Sequence, residues 1–207
     1  MFKIKYRVGN DDMKCVPSAF ANVLHILGCA DIAKTIMDHM VVRSNSADCT
    51  DVMRCLHMCE KYYWYKTIDP FAVPDEIRHS KAGLFGLVKH FAAACSMPMI
   101  LVYGGSQVGH THCVGIFRHQ IIDGLYTHTF PLTRANLNYT LGDHEQVCQV
   151  LAIYYLWPVN KKIAKLYLDL CGKEDDFKFD FEAMQNLQKK KRKRWTKNWG
   201  RKKQKRN

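Results

Sequence analysis

Between Lys14 and Gly28 the apolar residues Val16, Ala19, Phe20, Val23, Leu24 and Leu27 recur three and four positions apart. That is the period of a helix with one buried stripe. Gly28 supplies a stop, and Pro17, which lacks an N–H, fits only a first turn, so the helix must begin close to Cys15. Period two governs other stretches. Phe2, Ile4, Tyr6 and Val8 alternate with basic residues, which predicts a first strand over about 2–8. A β-like run from His112 to Phe117, a tight reversal at Arg118-His119 and a returning run Gln120-Ile-Ile-Asp123 predict a hairpin. Further strands are expected at about 98–103, 125–130 and 147–157, the last apolar enough to be central. From 30 to 96 the pattern is mostly helical, broken by loops at Asp69-Pro70 and Val73-Pro74. Helices first and an antiparallel sheet second make an α+β class, with the Cys15 helix packed on the sheet and a cleft between them.

Chemistry enters at the ends of these elements. A thiol at the head of a helix meets the positive end of the helix dipole, and Lys14 adds its charge; both favour the reactive thiolate. In a hairpin of this length His112 and Asp123 come side by side. A carboxylate beside an imidazole fixes its tautomer and stabilises its protonated form, leaving the other ring nitrogen to face a thiol. Cys15, His112 and Asp123 are therefore a candidate nucleophile, base and orienting acid. His110 is the rival base, but His112 lies directly against Cys-Val-Gly-Ile. For an oxyanion, Asn10 is the nearest amide donor and would act with the backbone N–H of Cys15.

Here the chain resembles the papain-like cysteine peptidases, and within them the bacteriocin-processing (C39-like) type. Those carry a Cys-Gly-Pro-x-x-Leu-Ala-x-x-Leu-like helix, then Gly-His-x-Val-Val and an Asp some ten to twenty residues on. Ser46 to Leu56 followed by Tyr62-Tyr-Trp-Tyr65 resembles the family's next helix and strand. Leu87-Val-Lys-His-Phe91 followed by Met97-Pro98-Met-Ile-Leu-Val-Tyr103 resembles its helix and strand before the His. The likeness runs over about residues 1–158 in element order and implies a thiol protease with a papain-like fold and no cofactor or metal. The chain departs from the family at Val16, where the family has Gly, and at Gly9, where it has an oxyanion Gln. Two alternatives follow. Asp12, three residues before Cys15, resembles the Asp-Gly-Asn-Cys motif of ovarian-tumour-type deubiquitinases, although strands continue well beyond His112. The two departures also suit a catalytically dead papain-like scaffold that binds nucleic acid or protein partners.

Charge divides the chain. Residues 189–207 hold twelve Lys and Arg and no Asp or Glu, which accounts for the whole formal net charge of +12. The expected organisation is a peptidase domain over 1–172, an acidic and aromatic linker over 173–188 and a basic tail, disordered when free, over 189–207. Two clusters, Lys189, Lys190, Lys191, Arg192, Lys193 and Arg194, then Arg201, Lys202, Lys203, Lys205 and Arg206, flank Trp195 and Trp199. That layout resembles a bipartite nuclear localisation signal, and it equally suits phosphate contacts with indole rings stacked on bases. The expected partners are thus a protein or peptide substrate, and a nucleic acid or nuclear import receptor for the tail. Nine cysteines without a secretory leader argue for an intracellular, nuclear setting, and no segment reads as a membrane span. Cys55 and Cys59 share a helix face, but no second pair completes a zinc site, so they read as packing thiols, as do Cys95, Cys113, Cys148 and Cys171.

Overall fold

A computed structural model describes residues 1–9, 14–40, 47, 49–60, 63–68, 83–94, 97–106, 111–142 and 146–159. Asn10, His110, the linker and the basic tail lie outside the described residues. The first helix, α1 (Cys15–Ile26), has Pro17 in its first turn and ends before Gly28 at φ +80°, a backbone conformation that suits glycine. All six apolar positions that set its period are buried. Two more helices follow, α2 (Ala30–His39) and α3 (Cys49–Cys59), then β1 (Tyr63–Ile68), α4 (Gly83–Ala94), β2 (Met99–Gly104), β3 (Thr111–Phe117), β4 (Gln120–Ile122), β5 (Phe130–Pro131), α5 (Arg134–Tyr139) and β6 (Gln149–Pro158).

The strands form one antiparallel sheet in the order β1-β6-β2-β3-β4-β5, and helices pack on it, an α+β fold. The long apolar segment that ends in Trp157 takes an inner place, with β1 on one side and β2 on the other. Every residue of β2 is buried, and α1 lies against β3. Gly115 permits that approach: a Cβ there would stand 2.3 Å from Val23 Cγ2 and 3.6 Å from the Ala19 carbonyl oxygen.

Three expectations change. Residues 2–8 keep their alternation, with Ile4 and Val8 buried, but they make only one isolated bridge, Lys3 with His128. The reason is local: the N–H groups of Lys5 and Tyr6 donate to the Asn22 side chain instead of to a neighbouring strand. Of residues 125–130 only Phe130 belongs to a strand, β5; a turn occupies 124–127, because the Asp123 carboxylate accepts the Leu125 N–H and the Asp123 carbonyl accepts that of Tyr126. Within the stretch from 30 to 96, β1 stands where the resemblance placed a strand after a helix, and it pairs along the whole of its length with β6. Cys55 and Cys59 are core residues, whereas Cys148 is exposed and does not pack.

The β3-β4 reversal is a two-residue turn, with Phe117 paired to Gln120 and Arg118 and His119 both left-handed at φ 51° and 55°. Such turns match strand twist but favour Asn-Gly, because a side chain in this conformation costs about 1–2 kcal/mol. Replacing His119 by Gly is expected to stabilise the fold by roughly 0.5–1 kcal/mol after the added freedom of the unfolded chain is counted. The thermal midpoint should rise by a few degrees; a fall would mean that the His119 side chain holds the turn. Among the described residues no helix is long and apolar enough to cross a membrane.

Candidate active site

Three elements converge on one imidazole. His112 is the second residue of β3, opposite Tyr103 of β2, and is buried. Asp123 follows β4 directly, and since that strand runs antiparallel to β3 its carboxylate points back toward the start of β3. The His112 Nε2 and Asp123 Oδ2 atoms are 2.9 Å apart, with Asp123 buried as well. The other carboxylate oxygen accepts the Leu125 N–H at 3.1 Å, so both oxygens are held and the group cannot swing away. Cys15, half-buried at the first residue of α1, has its sulfur near enough to the His112 ring to favour the ring's charged form. With Nε2 taken by Asp123, Nδ1 is the ring nitrogen left to the sulfur.

The electrostatics of this chain of groups favour a charged ring. Burial works against the imidazolium, but the Asp123 charge and hydrogen bond, together with the Cys15 sulfur, outweigh it and lift the His112 pKa to about 10. Nearby groups stay neutral. Burial pushes the Tyr103 hydroxyl well above its ordinary value, helped by the Asp123 charge. It does the same to the Cys113 thiol, where the Cys15, Cys55 and Asp123 charges add to it. One buried carboxylate, one imidazolium and one half-buried sulfur are therefore the reactive set, with neutral Tyr103 and Cys113 beside them.

Residues that the sequence patterns did not single out complete the support. The Tyr103 ring stands edge-on to the His112 ring, with centroids 5.9 Å apart and planes at 83°. Its hydroxyl is hydrogen-bonded to Thr140 Oγ1, which in turn donates to the Leu137 carbonyl at 2.6 Å. Thr140 is thus committed to the interior, while half-buried Asn138 accepts the Val147 N–H through Oδ1. A single signal could have marked α5: Thr133 in a Thr-x-x-Asn frame, whose hydroxyl accepts the Asn136 N–H as an N-cap.

The sequence-derived trio of Cys15, His112 and Asp123 is thus brought together. The expected oxyanion donor Asn10 and the rival base His110 fall outside the described residues. A thiol, an imidazolium and a fixed carboxylate in this order can attack an acyl carbon, return a proton to a leaving group and hold the ring between the two steps. Comparison of the chain with protein-family models, with curated proteins and with solved structures gives no match.

Proposed function

We propose that the protein is a cysteine peptidase of papain-like type, which hydrolyses peptide or isopeptide bonds through Cys15, His112 and Asp123. The observation that supports this best is the buried His112 ring, bonded to Asp123 and with the Cys15 sulfur beside it. The Cys15 sulfur attacks the scissile carbonyl carbon, and the carbonyl electron pair moves onto oxygen. The Cys15 backbone N–H and Asn10 receive that oxyanion. Collapse expels the amine, which takes its proton from His112. The ring then accepts a proton from water, the hydroxide attacks the thioester, and the acid leaves as Cys15 is restored. Asp123 keeps its charge and its hold on Nε2 throughout.

The rate should be bell-shaped in pH, with the upper limb set by loss of the His112 proton near 10. Site-resolved labelling of Cys15 by a peptide-derived electrophile, with turnover of a linear peptide library, tests the reading. Labelling of Cys15 only after denaturation would assign a dead scaffold. Cleavage confined to ubiquitin-derived substrates would move the assignment to the ovarian-tumour type.

The basic tail supplies the address in this proposal. Its two clusters serve nuclear import and tether the peptidase to nucleic acid through phosphate contacts. Deleting residues 189–207 is expected to abolish nuclear accumulation and nucleic-acid retention while Cys15 labelling continues at the full rate. Retention by the full chain should fall steeply with salt, since each phosphate contact adds about 0.7–0.9 to the log–log slope. An unchanged salt slope in the truncated protein would put the binding face on the body.

A further inference from the structure

The segment that precedes the nucleophile is bound on two sides. On one side α1 holds it. Ser18, one turn after Cys15 and fully buried, donates from Oγ to the Tyr6 carbonyl at 2.9 Å. Asn22, one turn further and also buried, accepts the Lys5 and Tyr6 N–H groups at 3.0 and 2.8 Å and donates to the Tyr6 carbonyl at 2.8 Å. On the other side the stretch after Asp123 holds it. The Val8 N–H donates to the Gly124 carbonyl at 3.0 Å, the Ile4 N–H to the Thr127 carbonyl at 2.9 Å, and the Thr129 N–H to the Phe2 carbonyl at 2.9 Å. Residues 2–8 are therefore a strap between the helix that carries Cys15 and the turn that carries Asp123.

Gly124 is where the two sides meet. A Cβ there would stand 1.9 Å from Ser18 Oγ, and 3.0 Å from both Ser18 Cβ and the Tyr6 carbonyl oxygen. Ser18 is fully buried and could rotate away only by giving up its bond to the Tyr6 carbonyl. We propose that Gly124, seated on Ser18 and the strap held by Asn22, is a positioning residue that sets the separation between Cys15 and the His112–Asp123 pair. The inference rests on the thiol-peptidase reading and adds the device that aligns its parts. Its reach is short: Gly124 is bonded to Asp123, and Ser18 is three residues from Cys15. A misplacement of about 1 Å between reacting groups can cost on the order of 100-fold in rate.

The test is the alkylation rate of Cys15 by iodoacetamide at about pH 6.5, read by peptide mass spectrometry on the full chain. The exposed thiol of Cys148 in the same sample serves as an ordinary reference. In the wild type Cys15 should react faster than Cys148 by roughly tenfold or more, as expected of a nucleophile placed beside a general base. Gly124→Ala should lower the Cys15 rate by about 10- to 100-fold without touching Cys148. Ser18→Ala gives up one bond to the strap and should slow Cys15 no more than Asn22→Ala does, and the double variant G124A/S18A should recover part of the G124A loss, because the 1.9 Å contact is gone while those at 3.0 Å remain. Such a rescue is not expected of a residue that merely stabilises. If G124A does not fold by circular dichroism, Asn22→Ala decides, since it loosens the strap without adding an atom and should slow Cys15 about 3- to 10-fold. A wild-type Cys15 rate in G124A, or in N22A where that variant decides, overturns the inference even if the thermal midpoint falls. A wild-type chain in which Cys15 reacts no faster than Cys148 overturns the peptidase reading, and the inference with it.

Discussion

Replacing Cys15 by Ala is expected to remove covalent labelling at that position and to lower peptide turnover by a factor on the order of 10⁶, the loss typical when the nucleophile of an acyl-transfer triad is deleted. The fold should survive. Cys15 is only half-buried at the first residue of α1, and the change deletes one sulfur without opening a large cavity. The thermal midpoint is therefore expected to stay within a few degrees of wild type at neutral pH. Residual labelling at wild-type rate on another cysteine would sink the assignment. Cys55 and Cys59 are poor rivals, because burial raises both thiols far above their ordinary range.

Asp123→Asn should act on both rate and stability. The substitution leaves His112 buried without a counter-charge, and breaking a buried pair from one side costs about 3–5 kcal/mol. The pH dependence follows from the direction of the shift. The His112 pKa is raised from 6.5 to about 10 on folding. The stability that this ring contributes is therefore fully present below pH 6.5, declines as pH rises, and is gone above about 10. In the variant burial is opposed only by the Cys15 sulfur, so His112 holds its charge less well and the decline is weakened. Thermal denaturation across this window should show the gap between the two proteins widest on the acid side and narrowing toward pH 10. Turnover should drop by about 10²- to 10⁴-fold, since the ring can no longer be held as a positioned acid and base. A parallel pair of stability curves would mean that Asp123 serves only as the turn residue that caps Leu125.

The site was more legible than its frame, for reasons that lie in particular residues. A helix with Pro17 near its start and Gly28 after its end can hardly be misplaced, and a two-residue reversal puts the ends of His112–Asp123 together whatever surrounds them. Residues 2–8 carry the alternation of a strand, yet the pattern records only which side chains face inward. It does not record that Asn22, sixteen and seventeen residues along, takes the N–H groups of Tyr6 and Lys5. Likewise Asp123 spends one oxygen on Leu125, and a turn stands where apolar residues suggested a strand. The roles of Gly115 and Gly124 depend on what an absent Cβ would touch, and those neighbours are distant in sequence. The α+β class was legible from the order of periods alone. The peptidase activity and its papain-like character belong to the proposal.

The place of β6 in the sheet has a consequence for biosynthesis. β1 pairs with β6 alone among the described strands, in a ladder from Tyr63–Pro158 to Ile68–Ile153. At ~5–20 residues per second a ribosome adds β6 several seconds after β1. Until then β1 has no ladder and β2 has only β3, although Cys15, His112 and Asp123 have all been made. A nascent chain that stalls before Gln149 thus holds every group of the proposed chemistry on an unfinished sheet. The sheet on which the proposed chemistry rests is complete only when synthesis has passed Pro158.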